Sequence, residues 1–339
     1  MQLPVIDLKT FLETGNDAEN CEKIANAFVN YGACLIEDPR ITFNDNEVFL
    51  DLVTRYFDLP YEEKMKDARP DCGYQVGATP GYTEDPKCSR DPKCQTLIEK
   101  LEDQPTKWDG PDPKWRFFWR IGNCDSKKYP LLTAEPVIPE SLKSEWPSKM
   151  NIWGNLLVDT GMVISEMAAL GLGYERNAFL DYTKGGPHLL APTGSDLHNA
   201  KIGDVFAGFH YDLNFVTIHG KSHYPGLNIW ARNSGKKLAV KVPKGMLIVQ
   251  AGKQFEYVTN GKVVAGYHEV VVNEGTLNAV EVAKSAGRGL WRVSSTVFIH
   301  AHPDKVLRPI KAEDNPQYPA VDVGKYVQNE LQGIALMEK

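Results

Sequence analysis

The chain has 339 residues, 42% of them apolar and 24% charged, with a formal net charge of −6. Those values suit a globular protein, and the acidic balance argues against nucleic acid as a partner. No apolar run approaches the ~20 residues that a membrane span needs, and MQLPVIDLKTFLE lacks the basic and apolar segments of a secretory signal.

The expected elements run as follows. LPVIDL, short and β-branched, reads as a strand. AENCEKIANAFVNYG places Cys21, Ile24, Ala25 and Phe28 on one helical face, with Gly32 as a stop. GACLIED is a second strand, and a helix begins at about Asn46 and breaks before Pro60. Residues 70–115, rich in Gly, Pro and Asp, are expected to be mostly loop. Within them EDPKCSRDPKC carries Cys88 and Cys94 with no further zinc ligand at suitable spacing. These two, with Cys21, Cys34, Cys72 and Cys124, are expected to be free thiols of a reducing, cytoplasmic setting. KWRFFWRIG reads as an aromatic strand, and residues 148–172 form the strongest helical pattern in the chain.

After that the style changes to many short β segments separated by turn signals, among them Pro225-Gly226 and Asn260-Gly261. FEYVTNG and KVVAG flank Asn260-Gly261 as a hairpin would. LWRVSSTVFIHA reads as one strand, and an amphipathic helix closes the chain. The fold class is therefore α+β, with helices outside a β core. One continuous domain covers 1–339: a mainly helical region at 1–185, a β core at 186–310 and a C-terminal helix at 311–339. No stretch of linker composition divides it.

GFHYDLNFVTIHG, residues 208–220, carries the chemistry. In a strand, residues i and i+2 share a face, so His210 and Asp212 point one way. An inward carboxylate beside a histidine needs compensation, which a metal provides. His268, in a β run, offers a third ligand. Two histidines and one carboxylate on one face of an octahedron leave three positions open, the arrangement that favours non-haem Fe(II) used with oxygen. Arg292 and Ser294 in WRVSS again share a face and suit a carboxylate held at two points.

The order His-x-Asp, distal His, Arg-x-Ser resembles the Fe(II)- and 2-oxoglutarate-dependent oxygenases of the isopenicillin N synthase-like family. LPVIDL, YFDLPYEEKMK, GYQVG and PKGMLIVQAGKQFEYVTNGKVVAGYHEV extend the resemblance over most of the chain. It implies a double-stranded β-helix, or jelly roll, flanked by N-terminal helices and a C-terminal helix. It further implies His210, Asp212 and His268 as ligands of Fe(II), and Arg292 and Ser294 as the clamp on 2-oxoglutarate, with O2 as co-substrate. Arg69, Tyr74, Phe118 and Arg120 are the residues it suggests for substrate contact.

Two features depart from the family pattern. The interval from His268 to Arg292 is long, and NEGTLNAVEVAKSAGRG within it reads as an inserted helix, N-capped at Thr276 and stopped at Gly287. Residues 274–288 are expected to cover part of the active-site mouth as a lid. HLLAPTG lacks the tyrosine that the family often places there, so another residue must complete the co-substrate pocket. Arg288 is a rival clamp but has no serine two places on. His219 and His223 are expected as exposed turn residues, and His300 and His302 at the rim.

The expected function is oxidation of a C–H bond of a small organic molecule, amino-acid-derived or a specialised metabolite, by hydroxylation, desaturation or ring closure of the kainoid type. The partner is that small molecule, and a monomer is expected. Two alternatives stand beside it: an isopenicillin N synthase-like or aminocyclopropane carboxylate oxidase-like oxidase that needs no 2-oxoglutarate, and a jelly-roll metal-binding module without turnover.

Overall fold

In the computed structural model, residues 2–311 and 315–337 are described. The helices in chain order are α1 (Lys9–Thr14), α2 (Ala18–Tyr31), α3 (Phe43–Phe57), α4 (Tyr61–Met65), α5 (Lys87–Arg90), α6 (Pro92–Ile98), α7 (Trp146–Gly171), α8 (Leu180–Thr183), α9 (Lys253–Val258), α10 (Glu274–Ser285) and α11 (Val323–Gly333). Their ends follow local chemistry. Asp17 accepts from the Asn20 N–H to open α2, and Gly32, at φ 68°, closes it. α3 starts at Phe43, earlier than expected, because Thr42 and Asp45 form a reciprocal capping box.

The strands are β1 (Val5–Asp7), β2 (Ala33–Glu37), β3 (Gly77–Thr79), β4 (Trp115–Ile121), β5 (His188–Leu190), β6 (Thr193–Asp196), β7 (Val205–Tyr211), β8 (Val216–His219), β9 (Leu227–Trp230), β10 (Lys237–Ala239), β11 (Leu247–Ala251), β12 (Tyr267–Val271), β13 (Trp291–Ser294), β14 (Thr296–Ile299), β15 (Val306–Leu307) and β16 (Val321–Asp322). The larger sheet runs β1-β2-β11-β8-β14-β5-β4-β6-β13, with β3 on β4. A four-stranded sheet runs β10-β9-β12-β7, and β15 pairs with β16.

The main core lies between the larger sheet and α2, α3 and α7, around Phe49, Trp146, Trp153 and Phe215. α2 and α7 cross closely at Gly171, where a Cβ would sit 1.8 Å from the Cys21 carbonyl oxygen. The strongest helical pattern in the sequence thus becomes the helix that backs the larger sheet.

Three local expectations change. FEYVTNG is not a strand: α9 buries Gln254, Phe255 and Val258 completely. Asn260 (φ 56°) and Gly261 (φ 76°) follow the end of this helix instead of making a hairpin. Asn-Gly serves either purpose, since both need left-handed backbone. LWRVSSTVFIHA divides at Ser295 into β13, which pairs with β6, and β14, which pairs with β5 and β8. The buried Ser295 hydroxyl holds that bend, donating to Asn46 Oδ1 and accepting from the Gly220 N–H. Residues 70–115, expected as loop, contain a 3-10 turn, β3, α5 and α6. Here Cys88 and Cys94 are not free thiols but a disulfide, since the short helices bring their Cα atoms to 5.1 Å. Cys21, Cys34, Cys72 and Cys124 are free.

Candidate active site

His210 on β7 and His268 on β12 are direct partners in the antiparallel ladder, with ring centroids 4.1 Å apart. Asp212 lies just beyond the end of β7. Its Oδ1 is 3.8 Å from His210 Nε2, and its Oδ2 is 3.9 Å from His268 Nε2. One ligand atom from each of the three lies within 4.8 Å of the others.

The surroundings prepare these atoms for a cation. His210 Nδ1 is 2.7 Å from the Gly208 carbonyl oxygen, so it donates and leaves Nε2 with its lone pair free. Thr217 Oγ1 donates to Asp212 Oδ2 at 2.6 Å and orients the carboxylate. Burial lowers the His210 pKa. Burial, then repulsion from His210, pushes His268 down to about 4. Both imidazoles are therefore neutral near pH 7, as metal ligands must be.

Arg292 and Ser294 line the same pocket from β13. Arg292 Nε donates to the Pro225 carbonyl oxygen at 3.2 Å. The bend that presents this oxygen requires Gly226, at φ 133°. Among the described residues no carboxylate lies within ion-pair distance of this buried guanidinium, and desolvation alone lowers its pKa to about 10. An unmatched buried cation is costly and calls for an anion. Directly across the ladder, Ser195 faces Arg292 and Thr193 faces Ser294, and both line the pocket. Arg288 is exposed and outside the pocket lining.

The other histidines divide differently from expectation. His219 is a buried strand residue lining the pocket, not an exposed turn residue; its place on β8 puts it between β11 and β14. His300 is likewise a buried pocket residue rather than an exposed rim residue. His223 pairs with Glu47 at the surface and His302 with Asp125.

Of the four suggested substrate contacts, Phe118 lines the pocket. The others do not. Arg69 is half-buried and paired with Asp71, Tyr74 packs on the main core, and Arg120 donates to the Ala134 carbonyl. Sequence reasoning missed Lys114 and Arg116, which line the pocket beside Phe118 together with Glu84 and Asp112. The available signal was K-x-R-x-F, with charged side chains at alternate positions leading into an aromatic strand.

The insertion is a helix, but its N-cap is Asn273, with Thr276 as the reciprocal partner. It is not a lid: none of residues 274–288 lines the pocket. α10 packs outward of it, burying Val280 and Ala283 against Leu197, Phe206 and Tyr224. Thr276 Oγ1 also donates to Pro225 O, the oxygen that holds Arg292. α11 does line the pocket, through Val327, Glu330 and Leu331. Glu330 pairs with Lys87 and accepts from the Tyr211 hydroxyl.

Two family models match the chain: the N-terminal part of the non-haem dioxygenases in morphine synthesis over residues 3–132, and the 2OG-Fe(II) oxygenase superfamily over residues 192–301. The chain belongs to the isopenicillin N synthase-like superfamily of Fe(II)/2-oxoglutarate oxygenases. This oxygenase is 22% identical over 321 residues to a flavonol synthase/flavanone 3-hydroxylase of Eustoma exaltatum, covering 94% of this chain and 82% of that one. It is 24% identical to a 2-oxoglutarate-Fe(II) type oxidoreductase of Aspergillus fumigatus, covering 97% and 92% of the two chains. A full-length Neurospora crassa protein, solved in complex with alpha-KG and thymine, has the same fold at a TM-score of 0.73 and 19% identity, with 97% and 96% of the two chains covered. The family's cofactors are Fe(II) and 2-oxoglutarate, with O2 as co-substrate, and the chain is a dioxygenase, not a metal-binding module without turnover. Among the described residues no helix of this oxygenase is long and apolar enough to cross a membrane.

Proposed function

We propose that His210, Asp212 and His268 hold Fe(II), that Arg292 and Ser294 hold the far carboxylate of 2-oxoglutarate with help from Thr193 and Ser195, and that the enzyme oxidises a C–H bond of a small organic substrate. The observation that carries this is the meeting, in one pocket, of three convergent ligand atoms with a buried arginine that has no counter-ion among the described residues. When bound, the iron and 2-oxoglutarate supply the oxidising chemistry. The chain's own part is geometric. Gly208 and Thr217 orient His210 and Asp212, Pro225 aims Arg292, and the α11 residues lining the pocket limit access of water to the reaction.

The substrate is a small molecule, amino-acid-derived or a specialised metabolite. Hydroxylation, desaturation and kainoid-type ring closure remain the candidate outcomes, because all three begin at the same C–H bond. The enzyme acts as a cytoplasmic monomer on this reading.

Alanine at His210, Asp212 or His268 tests the ligand set. Each variant should lose 2-oxoglutarate-dependent succinate formation and bind less iron, while its circular dichroism stays native. Full iron content and turnover in any one of them would remove that residue from the set.

A further inference from the structure

Beside the histidines, in the same pocket, lies a second buried charged cluster. Lys114 pairs closely with Asp112 and lies 3.4 Å from Glu84. Arg116 Nη1 lies 3.0 Å from Glu84 Oε1 and 2.9 Å from Oε2. The cluster is tied to the histidine strand, since Asp112 Oδ1 accepts from the Gly208 N–H at 2.9 Å. Its acids and bases match one for one, so it is not an unbalanced cation seeking bulk charge.

What it leaves over is specific. Arg116 is 7% exposed and lines the pocket, yet its Nε and Nη2 have no hydrogen-bond partner among the described residues. These two nitrogens form one edge of the guanidinium, the edge that presents two parallel N–H groups to a carboxylate. Glu84 engages Nη1 and does not satisfy that edge. Leaving charged donors buried and unpaired costs free energy that a bound acceptor returns. The guanidinium carbon sits 4.2 Å from the centroid of the Phe118 ring, which fixes its plane beside an apolar wall of Phe118, Leu189 and Phe298.

We propose that Arg116 is a substrate-anchoring residue and that the substrate is a small carboxylic acid, its carboxylate on the Nε–Nη2 edge and its apolar body against Phe118. This rests on the oxygenase site described above, in which Arg292 serves the co-substrate and leaves Arg116 for the substrate. It separates the two arginines of one pocket by role.

Anaerobic calorimetry on the full chain, loaded with redox-inert Mn(II) and saturated with 2-oxoglutarate, tests it. The probes are acetate, hexanoate and phenylacetate, each beside its primary amide. In the wild type at least one acid should bind ten times or more tightly than its amide. That ratio should fall below three in Arg116→Gln and in Arg116→Lys, with the 2-oxoglutarate affinity changed less than threefold. Arg116→Lys keeps a cation beside Glu84 and carries the comparison if the glutamine variant does not fold. Equal binding of acids and amides, or no binding of any acid, would overturn the proposal and leave a neutral acceptor at that edge. A preference that survives both substitutions would also overturn it. A weakened 2-oxoglutarate affinity in the variants would reassign Arg116 to the co-substrate. Failure of the wild type to bind 2-oxoglutarate would count against the co-substrate reading instead, and it is read before any probe is added.

Discussion

Arg292 shows how much a single side chain's environment decides. It is buried, its Nε is spent on Pro225, and burial already lowers its pKa to about 10. A lysine there would begin from a lower ordinary pKa and lose its charge more readily on burial. It would also lose the planar fork. Arg292→Lys should therefore raise the 2-oxoglutarate requirement by about tenfold or more and leave the iron content unchanged. Steady-state titration of 2-oxoglutarate with a metal assay checks both. An unchanged requirement would move the clamp to another base.

Among the elements, α10 and α11 exchange the roles that chain position suggests. α10 begins soon after the His268 strand and returns before the Arg292 strand, yet it lies behind the pocket wall. Its contribution is packing on Phe206 and Tyr224, together with the Thr276 bond to Pro225. Val280→Ala should cost about 1–2 kcal/mol of stability, from lost burial and the cavity left behind. Affinity for substrate should stay as it was. Urea denaturation beside a substrate titration separates this from a lid, for which affinity would fall while stability held. α11 lines the pocket, where Glu330 meets Lys87 and Tyr211.

For the molecule as a whole, buried neutral histidines set the response to acid. Burial pushes His188 from an ordinary 6.5 to about 4, His219 to about 4 and His300 to about 3. Between those values and 6.5 the unfolded chain binds protons that the folded chain refuses. Stability is then highest above pH 6.5 and falls as the pH drops toward 4. His188 is the clean probe, since its Nδ1 accepts from the His300 N–H and it is not among the pocket-lining residues. His188→Asn keeps an acceptor and removes the titration. Its loss of stability between pH 7 and pH 5 should be smaller than the wild type's by about 2 kcal/mol. Urea midpoints at the two pH values measure it, and identical losses would mean that His188 titrates freely in the fold.

What the sequence determined by itself was whatever depends on short-range period and order. The 3.6-residue period announced α2 and α7, and the two-residue period put His210 beside Asp212 and Arg292 beside Ser294. The order of those pairs around His268 pointed to the oxygenase family. Tertiary structure alone decided what depends on distant neighbours. Asn260-Gly261 suits a helix end or a hairpin equally, and the burial of Phe255 and Val258 chose the helix. Arg116 by itself carries no local mark of the site; β4 sets it beside Glu84 within the pocket. Thr193 and Ser195 carry no local mark of a co-substrate site; only the β6–β13 ladder sets them across from Ser294 and Arg292. Those partners lie about a hundred residues away along the chain, and no local period encodes such a pairing.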